Sequence, residues 1–445
     1  MNLNRMLLKR HSEGQSIRVG LVGAGKFGTM FLAQALKTPG IHIAGIADLE
    51  PEKAGDNCLR TGWSKEQISA DSYGKALQEG STCISDDSQK LIQTDGMEVI
   101  IEATGNPAAG ISHCLNSIEN GLHIVMVNVE ADVVAGPLLA MKAQDAGVCY
   151  SLAYGDQPAL ICEHVDWARA CGFEVVCAGK GTRYHPDFHA STPETVWKNF
   201  GWDDEFALRG GLNPKMFNSF IDGSKSGIEM TAVCNATGLV PQPDGLGFPP
   251  SSRYELAEVC KPKKFGGKVS LKGTTEVVSS LKRDKSTVPD HLQFGTYVVV
   301  EADTDYVRFC FEEYDMLPDQ SFRFSAFYRP THMIGLELGI SVASTALREE
   351  STGAPTGFHS DVAATAKRDL KQGENLDGEG GYCVWGKQIP AGVSLKRGCL
   401  PLGLASDVKL KRDFARGELI CWSDVEMDMN QQAVKIRQEM EQVFR

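Results

Sequence analysis

The feature that most limits what this chain can fold into is Gly23-Ala24-Gly25-Lys26-Phe27-Gly28, placed directly after the apolar run Ile17–Val22 and opening a helical pattern over Gly28–Lys37. Three glycines at this spacing mean little alone, but between a strand and a helix each has a task. The first permits a tight turn, the second lets backbone approach a diphosphate, and the third lets helix pack on strand. The helix N-terminus then offers unpaired N–H groups and a partial positive charge. The segment reads as a dinucleotide-binding loop, with Gly23, Gly25, Lys26, Phe27 and Gly28 as contacts.

Further short apolar runs follow at His42–Ala47, Glu98–Ala103, His123–Val127 and Val148–Ala153, with helix-length stretches between the earlier ones. Strand–helix alternation predicts an α/β fold, a Rossmann-type doubly wound parallel sheet over residues 1–153. Asp48 ends the second run, about 20 residues beyond Gly28, where a carboxylate accepts from the adenosine ribose and repels a 2′-phosphate. The same residue suits a helix N-cap before Leu49-Glu50-Pro51-Glu52, and Arg60 lies within sequence reach as a partner for that phosphate. NAD and NADP both stay open on this pattern. Thr104, Gly105, Asn106 and Pro107 form a small polar turn after a buried strand, the position of the nicotinamide ribose in such domains. Asn128 and Glu130 end the next run, and Glu130 with Asp132 gives that strand end an acidic character.

The whole chain of 445 residues has room for two or three domains of roughly 100–200 residues. With 42% hydrophobic and 23% charged residues it reads as globular, and a net charge of −12 argues against general binding to nucleic acid or an anionic membrane. The start, MNLNRMLLKRHSEGQ, has too short an apolar stretch for a signal segment. The 13 cysteines are scattered singly without a C-x-x-C pair, so a reduced, cytoplasmic protein is expected. Residues 154–349 read as a mixed central domain. Within it a helix is predicted at Ala159–Ala170, a strand at Glu174–Ala178 and a Gly-rich turn at Gly179–Arg183. A long helix from Pro214 to about Thr237, strands at Tyr297–Val300 and Tyr306–Phe311, and a helix at Gly335–Leu347 follow. Glu350–Ser360 is a linker candidate, and 361–445 reads as a small β-rich domain ending in a charged helix.

The stretches GLVGAGKFGTM, EATGNP and HIVMVNVEADV resemble the cofactor domain of the homoserine dehydrogenase family. AKRDLKQGENLDGEGG and RDFARGELICWSDVEM resemble a SAF domain. With YSLAYGDQPAL, STPETVW and NPKMFNSFIDGSKSGIEM between them, the pattern is similar to the 1-deoxy-D-xylulose 5-phosphate reductoisomerase-like (DRL) enzymes over nearly the whole chain. Homoserine dehydrogenases usually carry Asn-Lys where this chain has Asn128-Val129, which speaks against that activity. The resemblance implies NADPH-dependent conversion of 1-deoxy-D-xylulose 5-phosphate to 2-C-methyl-D-erythritol 4-phosphate. It also implies a divalent metal such as Mg or Mn and an early step of isoprenoid synthesis.

That chemistry needs a metal to polarise a carbonyl, cations for a phosphate and a proton carrier. Asp156, after a strand and before a helix, is a metal or substrate candidate and equally a helix cap. Asp222, Lys225 and Glu229 fall at i, i+3 and i+7 of the long predicted helix, one face with two carboxylates and an amine. There Glu229 is a second metal candidate and Lys225 the proton donor; a solvated ion-pair ladder is the plain alternative. Lys180, Arg183, Lys215, Arg329 and His332 are the phosphate candidates, each of which alone reads as a surface cation. The eight basic residues of Lys261–Lys285 suggest a solvated face or a lid. His185 and His189 are separated by Pro186 and do not suggest a metal pair. The SAF-like region is expected to close the site or support a homodimer. Rival readings are a dehydrogenase of a small polyol, sugar acid or homoserine-like substrate, and a non-catalytic NAD(P)-binding sensor.

Overall fold

The computed structural model describes residues 2–209 and 212–445. It divides into two units, residues 2–160 with 333–355, and residues 161–332 with 356–445. In the first unit β1 (Ile17–Val22), β2 (Ile41–Ala47), β3 (Cys83–Ser85), β4 (Val99–Glu102), β5 (His123–Met126) and β6 (Tyr150–Leu152) make one sheet in the order β3-β2-β1-β4-β5-β6. Every pairing is parallel, and the order is that of the doubly wound Rossmann fold, with its switch point between β1 and β4. Both faces are covered, which is why the strands read as continuous apolar runs. Val99 and Ile101 face a core shared with Leu3, Leu7, Leu338 and Val342, while Ile100 faces Tyr73 and Leu91 on the other side.

The second unit holds a four-stranded mixed sheet of β7 (Glu174–Thr182), β8 (Thr274–Ser279), β9 (Thr296–Glu301) and β10 (Phe324–Arg329), ordered β10-β9-β7-β8. One face packs Ala178, Val277, Val298 and Val300 against Ile161 and Val165 of helix Gln157–Ala170 and Met230 and Val233 of helix Ser224–Thr237. Beyond residue 356 come β11 (Ser360–Ala366), β12 (Asn375–Asp377), β13 (Val384–Pro390), β14 (Ser406–Leu410) and β15 (Val425–Glu426), in antiparallel sheets β11-β13 and β12-β14-β15. All 13 cysteines are free, and among the described residues no helix is long and apolar enough to cross a membrane.

Four local expectations are corrected. The long helix is two, Pro214–Ile221 and Ser224–Thr237. Gly223 between them sits at φ +94°, and a Cβ there would press on the His189 ring at 3.2 Å; only glycine closes one helix and starts the next in this way. Tyr306–Phe311 lies in a helix, Asp305–Glu313, started by Thr304, whose side chain accepts from the Val307 N–H. Gly179–Thr182 continues β7 instead of turning. Its two glycines let the carbonyls of Glu276 and Leu292 approach where any side chain would collide. Lys261–Lys285 is solvated only in part: Lys263, Lys264, Lys268, Lys282, Arg283 and Lys285 are exposed, but β8 between them is fully buried, and Lys261 is buried between Glu258 and Asp319 at 2.7 and 2.8 Å.

Two buried charges shape stability. In the second unit Arg437 is fully buried on the C-terminal helix Gln432–Val443, donating to Asp361 at 2.5 and 3.1 Å and to Glu441 at 2.9 Å. Removing a buried cation leaves its carboxylates uncompensated, so Arg437→Ala is expected to destabilise by about 3–5 kcal/mol, read as a lower denaturant midpoint. In the first unit Asp132 does not face a site: it is fully buried and takes the Tyr150 hydroxyl at 2.8 Å. Burial pushes its carboxyl from 3.8 up to about 7, with the tyrosine bond opposing. Between these values the unfolded chain has lost a proton that the folded one keeps, so stability falls as pH rises from about 4 to about 7. Asp132→Asn removes that loss. Thermal unfolding across this range should show the variant gaining on the parent up to about pH 7, with a constant gap above.

Candidate functional site

In the first unit, a candidate dinucleotide site is built at the switch point of the parallel sheet. Gly23 turns the chain after β1 at φ +95°, and a Cβ there would meet the Ala103 carbonyl at 2.7 Å, so the loop lies against the turn that follows β4. A Cβ on Gly28 would meet the Gly23 carbonyl at 2.5 Å, fixing helix Lys26–Ala35 close under the loop. Gly25, the N-cap of that helix, has open space where its side chain would be. Two tight glycines and one open one fit a diphosphate resting on the helix N-terminus, whose first N–H groups have no partner within the helix. Lys26 and Phe27 begin the helix, with Lys26 exposed.

Asp48 joins the loop directly: its Oδ2 accepts the Ala24 N–H at 2.7 Å and its Oδ1 the Glu50 N–H at 2.9 Å. Across the switch point, Asn106 caps helix Pro107–Glu119, with Pro107 in its first turn and Gly105 at φ +69° before it. Thr104 donates to buried Glu102 at 2.5 Å. Asn128, also buried, donates to the Asn106 carbonyl at 2.9 Å and caps helix Val129–Asp145, whose first turn holds Glu130. The dinucleotide candidates thus gather at the carboxyl ends of β1, β2, β4 and β5, where open α/β sheets place ligands.

The second unit carries a cross-strand row. Arg329 of β10 pairs with Thr296 of β9, and Thr296 with Lys180 of β7. Directly opposed residues in antiparallel strands point to one face, here the face covered by helices Gln157–Ala170 and Ser224–Thr237. Glu229, on the second of these, forms a buried ion pair with Lys180. His164, on the first, bonds Thr296 Oγ1 at 3.0 Å. Burial, and then the charge of Arg329, hold its imidazole down to about 4, so it is neutral at pH 7.

Three of the residues singled out from sequence, Lys180, Glu229 and Arg329, therefore come together, and two others, His164 and Thr296, were missed. His164 had a signal: with Ile161, Val165 and Ala168 it lies on the core-facing stripe of its helix, a polar group in an apolar row. The remaining candidates lie apart from the row or at its margin. Asp222 ends the preceding helix instead of sharing a face with Lys225 and Glu229, and its carboxylate makes a buried 2.6 Å ion pair with Lys367. Lys225 is half-buried, one turn ahead of Glu229. Arg183 donates to the Asn199 carbonyl at 2.9 Å, its guanidinium pushed down by burial. Lys215 donates to the Asp377 carbonyl at 2.5 Å. His332 bonds the Phe294 carbonyl at 2.7 Å, just before β9.

The expected metal donors are not gathered into a metal-binding group. Glu229 is engaged by Lys180, and Asp156 accepts the Gln157 N–H at 2.8 Å ahead of helix Gln157–Ala170. Among the described residues no three His, Cys, Asp or Glu side chains are grouped to hold a metal ion.

Residues 155–338, which contain the entire cross-strand row, match the family model of the oxidoreductase DRL catalytic domain. No curated protein sequence matches the chain. Among solved structures, 1-deoxy-D-xylulose 5-phosphate reductoisomerase from Zymomonas mobilis in complex with NADPH is 16% identical, covering 49% of this chain and 58% of that one, with a TM-score of 0.34. An NAD binding oxidoreductase from Klebsiella pneumoniae is 16% identical over 40% of this chain and 47% of that one, TM-score 0.29. Scyllo-inositol dehydrogenase from Lactobacillus casei is 12% identical over 38% and 46%, TM-score 0.26. The chain spans about half the length of these structures. The chain thus joins a Rossmann-type sheet carrying a glycine-rich loop to a segment similar to an oxidoreductase catalytic domain.

Proposed function

We propose that the chain reduces a small phosphorylated keto sugar with a nicotinamide dinucleotide, in the manner of a 1-deoxy-D-xylulose 5-phosphate reductoisomerase. The observation that carries this reading is the row Arg329–Thr296–Lys180, with Glu229 and His164, inside the matched catalytic segment. When bound, the dihydronicotinamide supplies hydride to a carbonyl carbon. Arg329 holds the substrate phosphate through charge-assisted hydrogen bonds. Lys180 donates to the carbonyl oxygen as that oxygen gains negative charge, and Glu229 fixes the ammonium in place. Lys225, on the same helix face as Glu229, carries the proton of the hydroxyl whose loss starts the carbon shift. The shift leaves an aldehyde, which takes hydride at carbon and a proton at oxygen. Neutral His164, held by Thr296, orients the substrate without adding charge.

No step is routed through a metal ion, because the cation row performs the polarisation. The same feature favours a second reading, a dehydrogenase of a polyol or sugar acid, in which hydride transfer alone occurs.

The assay follows nicotinamide oxidation with 1-deoxy-D-xylulose 5-phosphate, with and without EDTA and with Mn²⁺ or Mg²⁺. Turnover that survives chelation is expected. Turnover lost with EDTA and restored by Mn²⁺ returns a metal to the mechanism, and turnover only of other carbonyl substrates leaves the dehydrogenase. Arg329→Met is expected to raise KM for the phosphorylated sugar by roughly 10- to 100-fold, the loss of one or two charge-assisted bonds. Its effect on 1-deoxy-D-xylulose without the phosphate should be small; an equal loss with both sugars removes Arg329 from phosphate binding.

A further inference from the structure

The cations and anions around the adenosine end of the loop are unequally placed. Asp48 is pinned at the rim by two backbone N–H groups, from Ala24 and Glu50, so its carboxylate cannot swing away without releasing the loop. Each oxygen accepts one of these bonds and retains a lone pair for a ribose hydroxyl. Leu49, the next residue outward and 93% exposed, is apolar at the position from which a cation would reach a 2′-phosphate. Glu50 and Glu52 follow, and the one nearby lysine, Lys53, donates to Glu50 at 2.6 Å. Asp48–Lys53 therefore sets three carboxylates against one amine.

Arg60, the cation that sequence placed within reach, is exposed at the end of the helix that follows. Helix Pro51–Arg60 runs unbroken, and at 1.5 Å per residue it sets Arg60 about 13 Å along the axis from Pro51. Asn57, one turn before the end, faces back to the loop and donates to the Ala24 carbonyl at 2.9 Å. On that face Lys53 and Arg60 flank Asn57 at i−4 and i+3, and Lys53 is held by Glu50. Lys26 stands at the N-terminus of helix Lys26–Ala35, beside the diphosphate position.

We infer that the chain is selective for NAD(H) over NADP(H), with Asp48 as the discriminating residue and Leu49 as the missing cation. This rests on the dinucleotide reading of the Gly23–Gly28 loop and departs from the NADPH that the family resemblance implies. A ribose with free hydroxyls gains acceptors at Asp48, whereas a 2′-phosphate meets a fixed carboxylate.

The test is equilibrium binding of the full chain to NADH and NADPH, followed by nicotinamide fluorescence. Competition by ADP-ribose and its 2′-phosphorylated analogue isolates the adenosine end. NADH is expected to bind about tenfold tighter or better, and ADP-ribose to compete where its phosphorylated form does not. Asp48→Asn should strengthen NADPH binding and shrink the ratio, and Leu49→Arg, which leaves the loop bonds in place, should do so too. NADPH binding as tightly as NADH, or a ratio unmoved in both variants with their thermal unfolding intact, overturns the inference while leaving the dinucleotide site standing. Binding of neither dinucleotide overturns the site itself.

Discussion

Helix Ser224–Thr237 is buried on nearly every side, between the four-stranded sheet and the β11-β13 pair, and it carries an unusual number of polar groups for such a place. A buried polar group costs free energy unless it is paired, so each of these residues ties the helix to a different neighbour. Ser224 Oγ accepts the Gly386 N–H at 2.9 Å, and Gly227 admits the Gly386 carbonyl at a distance no larger residue allows. Asn235 Oδ1 accepts the N–H groups of His359 and Ser360 at 2.8 and 3.0 Å, and Thr231 meets the Ser360 hydroxyl at 2.8 Å. Glu229 faces the other way, to Lys180. One helix therefore fixes both the docking of the C-terminal segment and the position of the lysine in the cross-strand row.

The same demand explains how the buried carboxylates are held. Asp222 is met by Lys367, Asp319 by Lys261, Asp361 by Arg437 and Glu229 by Lys180, all pairs with both side chains buried or nearly so. Where no cation is supplied, burial raises the acid instead: Glu276, surrounded by the N–H groups of Gly247, Phe248 and Val277 and the amide of Gln242, is pushed up to about 7. These carboxylates organise the interior; they are not a cation-attracting surface. A net charge of −12 coexists with a row that sets two cations, Lys180 and Arg329, on one face of a sheet.

Sequence made the first unit legible because its signals are local. A strand, three glycines and a helix start lie within about 20 residues; Gly28 is demanded by a contact within that stretch and Gly23 by the turn after β4, while Gly25 leaves open space. The second unit is less transparent because its decisive contacts are distant. Nothing near Asp222 announces Lys367, 145 positions on, and nothing near Lys180 announces Arg329. The run Tyr306–Phe311 has the aromatic and β-branched content of a strand, yet Tyr306 and Phe309 are exposed and the cap at Thr304 decides for a helix. Gly179 and Gly181 signal a turn by type, but close carbonyls from β8 and from the segment before β9 require them inside a strand.

The row also shows why sequence can nominate cations without assigning their work. Lys180 and Arg329 are separated by one strand, and the residue between them, Thr296, is uncharged. It spends its hydroxyl on His164. Had that imidazole been protonated, a third positive charge would sit among the cations and the desolvation cost of all three would rise. With burial and Arg329 keeping it neutral, His164 can give or take a hydrogen bond while the positive charge stays at the two ends of the row. Such a division suits a substrate with its phosphate at one end and a carbonyl at the other, because each cation then meets the group that carries or develops negative charge, and the neutral middle takes the hydroxyls.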